Sequence, residues 1–212
     1  MAGVKICGLS TPGTVQAALD GGAAFLGFNF FPASPRYLTP DAAARLVPPA
    51  RGKASIVAVT VDPDDDLLDR LMATLKPDLI QLHGKETPSR ASDVARRTGA
   101  GLIKALPVSE SSDLDAALAF ESVVDHLMFD AKPPTDAAMP GGLGSPFDWT
   151  ILAGRRFARP YLLAGGLDPW NVGEAMRLSG APFVDVSSGV ERGPGIKDPG
   201  LISAFLEAVR RA

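Results

Sequence analysis

Short apolar runs recur along the chain, each closed by glycine, proline or a polar residue and followed by a stretch with helix-start signals. They predict eight strands: Val4 to Cys7, Phe25 to Phe30, Ser55 to Val61, Leu79 to His83, Leu102 to Leu106, Val124 to Asp130, Tyr161 to Ala164 and Phe183 to Val186. Between them, hydroxyl or carboxylate caps beside proline predict helices. Ser10-Thr11-Pro12 opens one that runs through Val15 and Leu19 to Gly21-Gly22, Thr39-Pro40-Asp41 opens a short one, and Asp168-Pro169 another. Further helices are expected from about Asp64 to Leu75, Pro88 to Thr98 and Asp113 to Phe120, with a short one from Asp148 and a last one from Pro199 to Arg211.

Strands this apolar, alternating with helices, imply a parallel sheet covered on both faces. Eight strand-then-helix units close most simply into a single (β/α)8 TIM barrel of the α/β class over residues 1–212, compact against the usual ~250 residues. An open, doubly wound sheet is the runner-up. Against it, no Gly-x-Gly-x-x-Gly opens the first helix and no ribose-binding acid follows about 20 residues on.

Composition narrows the function classes. A hydrophobic content of 46% with 21% charge is ordinary for a soluble globular protein. No run approaches the roughly 18 apolar residues of a membrane span, and the first residues lack a signal peptide's basic start and apolar middle, so a cytoplasmic location is expected. The single cysteine permits no internal disulfide and no Cys-x-x-Cys metal site. A net charge of −3 gives no reason to expect nucleic acid.

Active sites of such barrels lie at the C-terminal ends of the strands. There the chain places Cys7, Asn29, Asp62, Gln81 with His83, Asp130, Gly165-Gly166, and Ser187-Ser188-Gly189. Ala164-Gly165-Gly166-Leu167 and Val186-Ser187-Ser188-Gly189 end the seventh and eighth strands, and their glycines let backbone N–H groups approach an anion closely. A phosphate site is expected between them. Cys7 and Asp130 end the first and sixth strands, so a thiol and a carboxyl can face one pocket as base and acid. A positive neighbour or a bound phosphate could tune the thiol toward neutrality, and a water-poor site could raise the carboxyl's pKa. Taken singly, a buried inert thiol and a capping or salt-bridged Asp are the bland alternatives.

Arg36, in a loop stiffened by Pro32 and Pro35, suits bidentate carboxylate binding, with a solvated surface Arg as the alternative. Asp64 to Asp66 read as a helix start. His126 falls near the start of the sixth strand, on the face that serves stability. Lys5 shares a strand face with Cys7 and points into the barrel, where Asp185 on the eighth strand is its expected ion-pair partner.

Seven ordered motifs then carry a resemblance from Val4 to about Leu206. They are Val4-Lys5-Ile6-Cys7-Gly8, Gly27-Phe28-Asn29-Phe30 with Ser34-Pro35-Arg36-Tyr37, Gln81-Leu82-His83-Gly84, Phe129-Asp130, Gly142-Leu143-Gly144 with Phe147-Asp148-Trp149, Ala164-Gly165-Gly166-Leu167, and Asp185-Val186-Ser187-Ser188-Gly189-Val190-Glu191. In these the chain resembles the phosphoribosylanthranilate isomerases of tryptophan biosynthesis. The resemblance implies an Amadori rearrangement of a phosphorylated aminosugar, with no metal and no organic cofactor. It implies Asp130 as the general acid on the ribose ring oxygen and Cys7 as the general base at the sugar C2. Arg36 would hold the anthranilate carboxylate, and Gly165, Gly166, Ser187, Ser188 and Gly189 the phosphate. Gln81 and His83 match the family's pocket wall without an assigned role. A monomer or a homodimer fits the resemblance, and no membrane or nucleic-acid partner does.

Two positions depart from the family pattern. Gly142-Leu143-Gly144-Ser145-Pro146 stands where a small polar residue and a Lys-Thr pair are more usual, and Thr60 stands where an aromatic or aliphatic residue is expected. Some relatives isomerise a second substrate from histidine synthesis, against which the short chain and the thiol base argue. The rival readings are a Schiff-base aldolase using Lys5 or Lys132 and a catalytically silent phosphosugar-binding protein.

Overall fold

The computed structural model describes residues 2–132 and 146–212, and in them the eight apolar runs form eight parallel strands. These are β1 (Gly3–Cys7), β2 (Phe25–Asn29), β3 (Ser55–Thr60), β4 (Leu79–Leu82), β5 (Gly101–Val108), β6 (His126–Ala131), β7 (Tyr161–Leu163) and β8 (Phe183–Val186). They follow one another around a closed barrel. β1 pairs with both β2 and β8, setting Lys5 beside Phe25 on one side and beside Asp185 on the other, which excludes the open sheet.

Among the described residues six α-helices lie in the connections: α1 (Pro12–Asp20), α2 (Pro40–Ala44), α3 (Asp65–Thr74), α4 (Pro88–Thr98), α5 (Val172–Ser179) and α6 (Pro199–Arg211). Four of them start by one device. The side chain of Thr11, Thr39, Thr87 or Asp198 accepts a first-turn N–H, and the proline that follows fits a position where no N–H is needed.

Two expected helices differ. The segment after β5 is a 3-10 helix, Ser111–Ala119. Asp113 Oδ2 takes the N–H groups of Ser109 (2.8 Å) and Glu110 (3.2 Å), so side-chain capture of the backbone competes with α-helical winding at its start. The helix expected from Asp168 begins at Val172 instead. Asp168 Oδ1 accepts from the N–H of Trp170 (2.8 Å) and Asn171 (2.9 Å), which makes a side-chain turn of the residues expected to start the helix. Asp148 opens a 3-10 turn, Trp149–Leu152.

Alternation along the strands divides the core into two shells. Outward residues such as Ile6, Leu26, Ile80 and Val184 pack under the helices, with Phe205 and Leu206 of α6 in the same cluster. Inward residues fill the barrel. Phe25, His126 and Phe183 make a floor of edge-to-face rings with centroids 5.6–5.7 Å apart. Burial lowers the His126 pKa, against a smaller upward pull from Asp125, so this ring serves as an uncharged aromatic. Val57, Val59, Leu79, Ile103, Ala105, Met128 and Leu162 belong to the same inner cluster. The inward positions at the other end are polar: Lys5, Asp185, Gln81 and Asp130 are all buried.

Candidate active site

One wall is built by β1, β2 and β8. Cys7 ends β1, and Lys5 lies two residues back on the same face with its Nζ 2.8 Å from Asp185 Oδ1. Gly27 on β2 leaves them room. A Cβ there would stand 3.1 Å from Lys5 Nζ and 3.3 Å from Cys7 Sγ. Burial raises the thiol pKa, Lys5 and Lys197 pull it down, and Asp185 adds to the rise. The net direction is upward, because lost hydration outweighs the two cations. Burial also favours a neutral Lys5, but Asp185 and Cys7 outweigh it and push Lys5 up to about 12. Lys5 is therefore an ammonium ion locked to a carboxylate, a poor Schiff-base nucleophile.

The facing wall is built by β4 and β6. Asp130 Oδ1 accepts the N–H of Ala131 (2.9 Å), and Oδ2 lies 3.2 Å from His83 Nε2. His83 Nδ1 in turn lies 2.8 Å from Gln81 Nε2. The loop carrying His83 is fastened from below by Glu86, a residue without a sequence signal. Its carboxylate accepts the N–H of Asp62 (2.9 Å) and Gly84 (2.9 and 3.0 Å) and meets Lys104 Nζ at 2.6 Å.

Arg36 is buried, not solvated. Its Nε and Nη2 donate to the two oxygens of Glu191 at 2.7 and 2.8 Å, a bidentate pair in which a residue of the chain takes one edge of the fork. Glu191 opens a small hairpin, β9 (Glu191–Gly193) with β10 (Ile196–Lys197), and also binds Lys197 Nζ. Lys197 donates onward to Ser187 O at 2.9 Å. Burial alone would raise the Glu191 pKa, but its two cationic partners lower it. Lys197 moves down as well, because burial exceeds what its single carboxylate partner restores.

The two glycine loops interlock above this network. Gly165 and Gly166 have φ of +86° and +69°, backbone that L-residues adopt at a cost. Asn171 Nδ2 donates to Gly166 O at 2.8 Å, fixing the loop. A Cβ on Gly189 would run into Leu167 O, so its bare backbone lets the β8 loop seat on the β7 loop.

One pocket at the C-terminal end of the barrel gathers Cys7, Arg36, Gln81, His83, Asp130, Gly165, Gly166, Ser187 and Ser188, with Asn29 also on its wall. Of the strand-end residues expected from sequence, Asp62 and Gly189 are not on the lining; Asp62 instead accepts the Lys85 N–H at 2.7 Å. Phe31, Val59, Val61 and Leu167 add apolar surface suited to an aromatic ring. A pocket of this kind, with a thiol on one wall, a carboxyl on another, an arginine and paired glycine loops, suits a small anionic ligand. Comparison with known proteins carries this further: the family model described as N-(5'phosphoribosyl)anthranilate (PRA) isomerase matches residues 4–208. The chain belongs to the N-(5'-phosphoribosyl)anthranilate isomerase family.

Relatives of this isomerase family match along nearly the whole chain. The Caulobacter vibrioides isomerase is 68% identical over 99% of this chain and 96% of its own, and that of Mesorhizobium japonicum 51% identical over 99% and 95%. Among solved structures, the phosphoribosylanthranilate isomerase from Thermotoga maritima is 32% identical, covers 100% of both chains and has a TM-score of 0.89. An isomerase in complex with reduced 1-(o-carboxyphenylamino)-1-deoxyribulose 5-phosphate is 30% identical, with full coverage of both chains and a TM-score of 0.86.

The two departures from the isomerase pattern have different outcomes. Gly142 to Ser145 lie outside the described residues. Thr60 is buried and donates its hydroxyl to Gln81 O at 3.0 Å, so the polar residue is satisfied within the wall. The Gly165-Gly166 loop of this isomerase barrel also touches the end of β6. A Cβ on Gly165 would meet the Ala131 N–H and stand 2.6 Å from Ala131 Cβ, directly after Asp130. Gly165→Ala is therefore expected to destabilise the fold by about 1–3 kcal/mol and to lower turnover by displacing Asp130. Thermal unfolding and steady-state kinetics check this, and an unchanged melting temperature would show that the loop gives way freely.

Proposed function

We propose that Cys7 and Asp130 are the base and acid of this chain's reaction, the Amadori rearrangement of N-(5-phosphoribosyl)anthranilate to 1-(2-carboxyphenylamino)-1-deoxyribulose 5-phosphate in tryptophan biosynthesis. The observation that carries this is their place in one pocket, on β1 and β6, with Arg36 and the glycine loops of β7 and β8 on the same lining. Asp130 gives a proton to the ribose ring oxygen. The bond from that oxygen to C1 breaks and the nitrogen lone pair forms the C1=N iminium. Cys7 thiolate then removes the proton from C2, giving the enolamine, which becomes the ketone as the C2 hydroxyl loses its proton and C1 gains one. Every step moves protons, so the chain's own side chains suffice.

The phosphate lies against Gly165, Gly166, Ser187 and Ser188, with Gly189 supporting that loop. Arg36 meets the anthranilate carboxylate with its remaining N–H edge, since Glu191 occupies the other. Gln81 and His83 stand on the wall by the reacting sugar. The barrel of residues 1–212 is a catalytic unit at work in the cytoplasm. Among the described residues no helix is long and apolar enough to cross a membrane. It acts as a monomer or a homodimer, two forms that both occur for the Thermotoga maritima isomerase.

Purified protein mixed with N-(5-phosphoribosyl)anthranilate should quench the anthranilate fluorescence with multiple turnovers. Borohydride added during turnover should leave no adduct on Lys5 or Lys132. A persistent signal with measurable phosphosugar binding would make the chain a silent binder, and a trapped lysine adduct would make it an aldolase.

A further inference from the structure

Gln81 and His83 lie two residues apart at the end of β4 and share a face; Met128 and Asp130 do the same on β6. The four side chains meet. Gln81 Nε2 is 2.8 Å from His83 Nδ1 and 3.4 Å from Met128 Sδ, and His83 Nε2 is 3.2 Å from Asp130 Oδ2. Gln81 is 1% exposed, and its Oε1 is buried without a hydrogen-bond partner among the described residues.

Donor and acceptor chemistry gives the array a direction. A thioether sulfur can only accept, so the amide atom that touches both Met128 Sδ and His83 Nδ1 is the nitrogen. Turned over, the carbonyl oxygen would face the sulfur lone pairs. The amide nitrogen therefore donates to Nδ1, which keeps its lone pair, and the proton of the neutral imidazole sits on Nε2, aimed at Asp130. That orientation leaves Oε1 without a partner among the described residues.

We propose that Gln81, backed by Met128, is a positioning residue that holds neutral His83 as its Nε2–H tautomer, so that the acid proton of Asp130 stays on the carboxyl edge facing the substrate. This rests on Asp130 being the general acid. The Ala131 N–H takes one lone pair of Oδ1 and the His83 N–H one of Oδ2, so the position left for an acid proton is a remaining lone pair on the pocket side. In the other tautomer, His83 Nε2 would accept from Asp130 Oδ2–H and draw into the wall the proton that ring opening requires.

The test is the nitrogen NMR spectrum of protein labelled with ¹⁵N-histidine, read together with kcat and KM. The chain has two histidines, and a spectrum of His83→Asn identifies which signals are lost. Wild type should show neutral His83 protonated at Nε2. Gln81→Leu should shift it toward Nδ1–H and lower kcat roughly tenfold or more with KM little changed. Gln81→Glu, whose carboxylate accepts from Nδ1–H, should do the same while preserving shape. A wild-type Nδ1–H tautomer would overturn the inference even if no Gln81 variant folds. So would Gln81 variants with wild-type kcat, or with only KM raised, which would make Gln81 a substrate contact. Asp130→Asn separates the two levels: full activity there removes the acid assignment, whatever tautomer His83 adopts.

Discussion

Lys5→Met is expected to destabilise the protein by about 3–5 kcal/mol, a large share of the roughly 5–15 kcal/mol that holds a domain folded. The reason is the partner left behind. Lys5 is fully buried and Asp185 nearly so, and their charged atoms are 2.8 Å apart. Without the ammonium, Asp185 keeps a charge inside the barrel with nothing to balance it. Lys5→Met/Asp185→Leu removes both charges and should recover most of the loss, since a buried ion pair replaced as a unit is often near neutral. Urea denaturation of the two variants decides the matter. If they are equally unstable, packing and not charge pairing is what Lys5 supplies. The pH dependence has a definite sign. The folded pKa of Lys5 is pushed up to about 12 from an ordinary 10.5, so its stabilisation is complete below about pH 10.5 and is lost as pH rises through 12. The gap between wild type and Lys5→Met should narrow in that alkaline window.

The Lys5–Asp185 pair was legible because it needs only two rules, period-two alternation within a strand and closure of β8 onto β1. The eight strands were legible for a similar reason: they are buried on both faces, so each reads as an apolar run. Legibility ended where a residue's environment is made by distant chain. Arg36 and Glu191 are 155 positions apart, and the hairpin that presents Glu191 is built around Gly193-Pro194-Gly195 with no apolar run to announce it. Glu86 and Lys104 belong to no motif in the sequence, yet both are buried under the His83 loop. Positive neighbours of the Cys7 thiol could be expected from sequence, but the burial that outweighs them is a property of the assembled barrel. The structure also separates the expected phosphate residues, setting Ser187 and Ser188 on the pocket and Gly189 against Leu167.

Asp130→Asn and Cys7→Ser are each expected to lower kcat by about 10²–10⁴-fold with folding retained, the range removed with a general acid or base. They should fail at different steps. Asparagine keeps the shape at Asp130 but has no acidic proton for the ring oxygen, so ring opening becomes the slow step. Serine keeps the reach of Cys7 but is a far weaker acid than a thiol, so removal of the C2 proton becomes the slow step. Substrate deuterated at C2 distinguishes them: a primary isotope effect should appear with Cys7→Ser and be absent with Asp130→Asn. The opposite assignment of the isotope effect would exchange the two roles, and near-normal turnover in either variant would remove that residue from the chemistry. The raised pKa of Cys7 adds a sign for wild type. Only the thiolate can act as base, and its fraction grows with pH, so the limb of the rate profile that belongs to Cys7 should climb into the alkaline range. Alkylation of the free enzyme by iodoacetamide should climb along the same limb, because it draws on the same thiolate. Fast alkylation at neutral pH would mean that Lys5 and Lys197 together outweigh burial. The base would then be poised before substrate arrives.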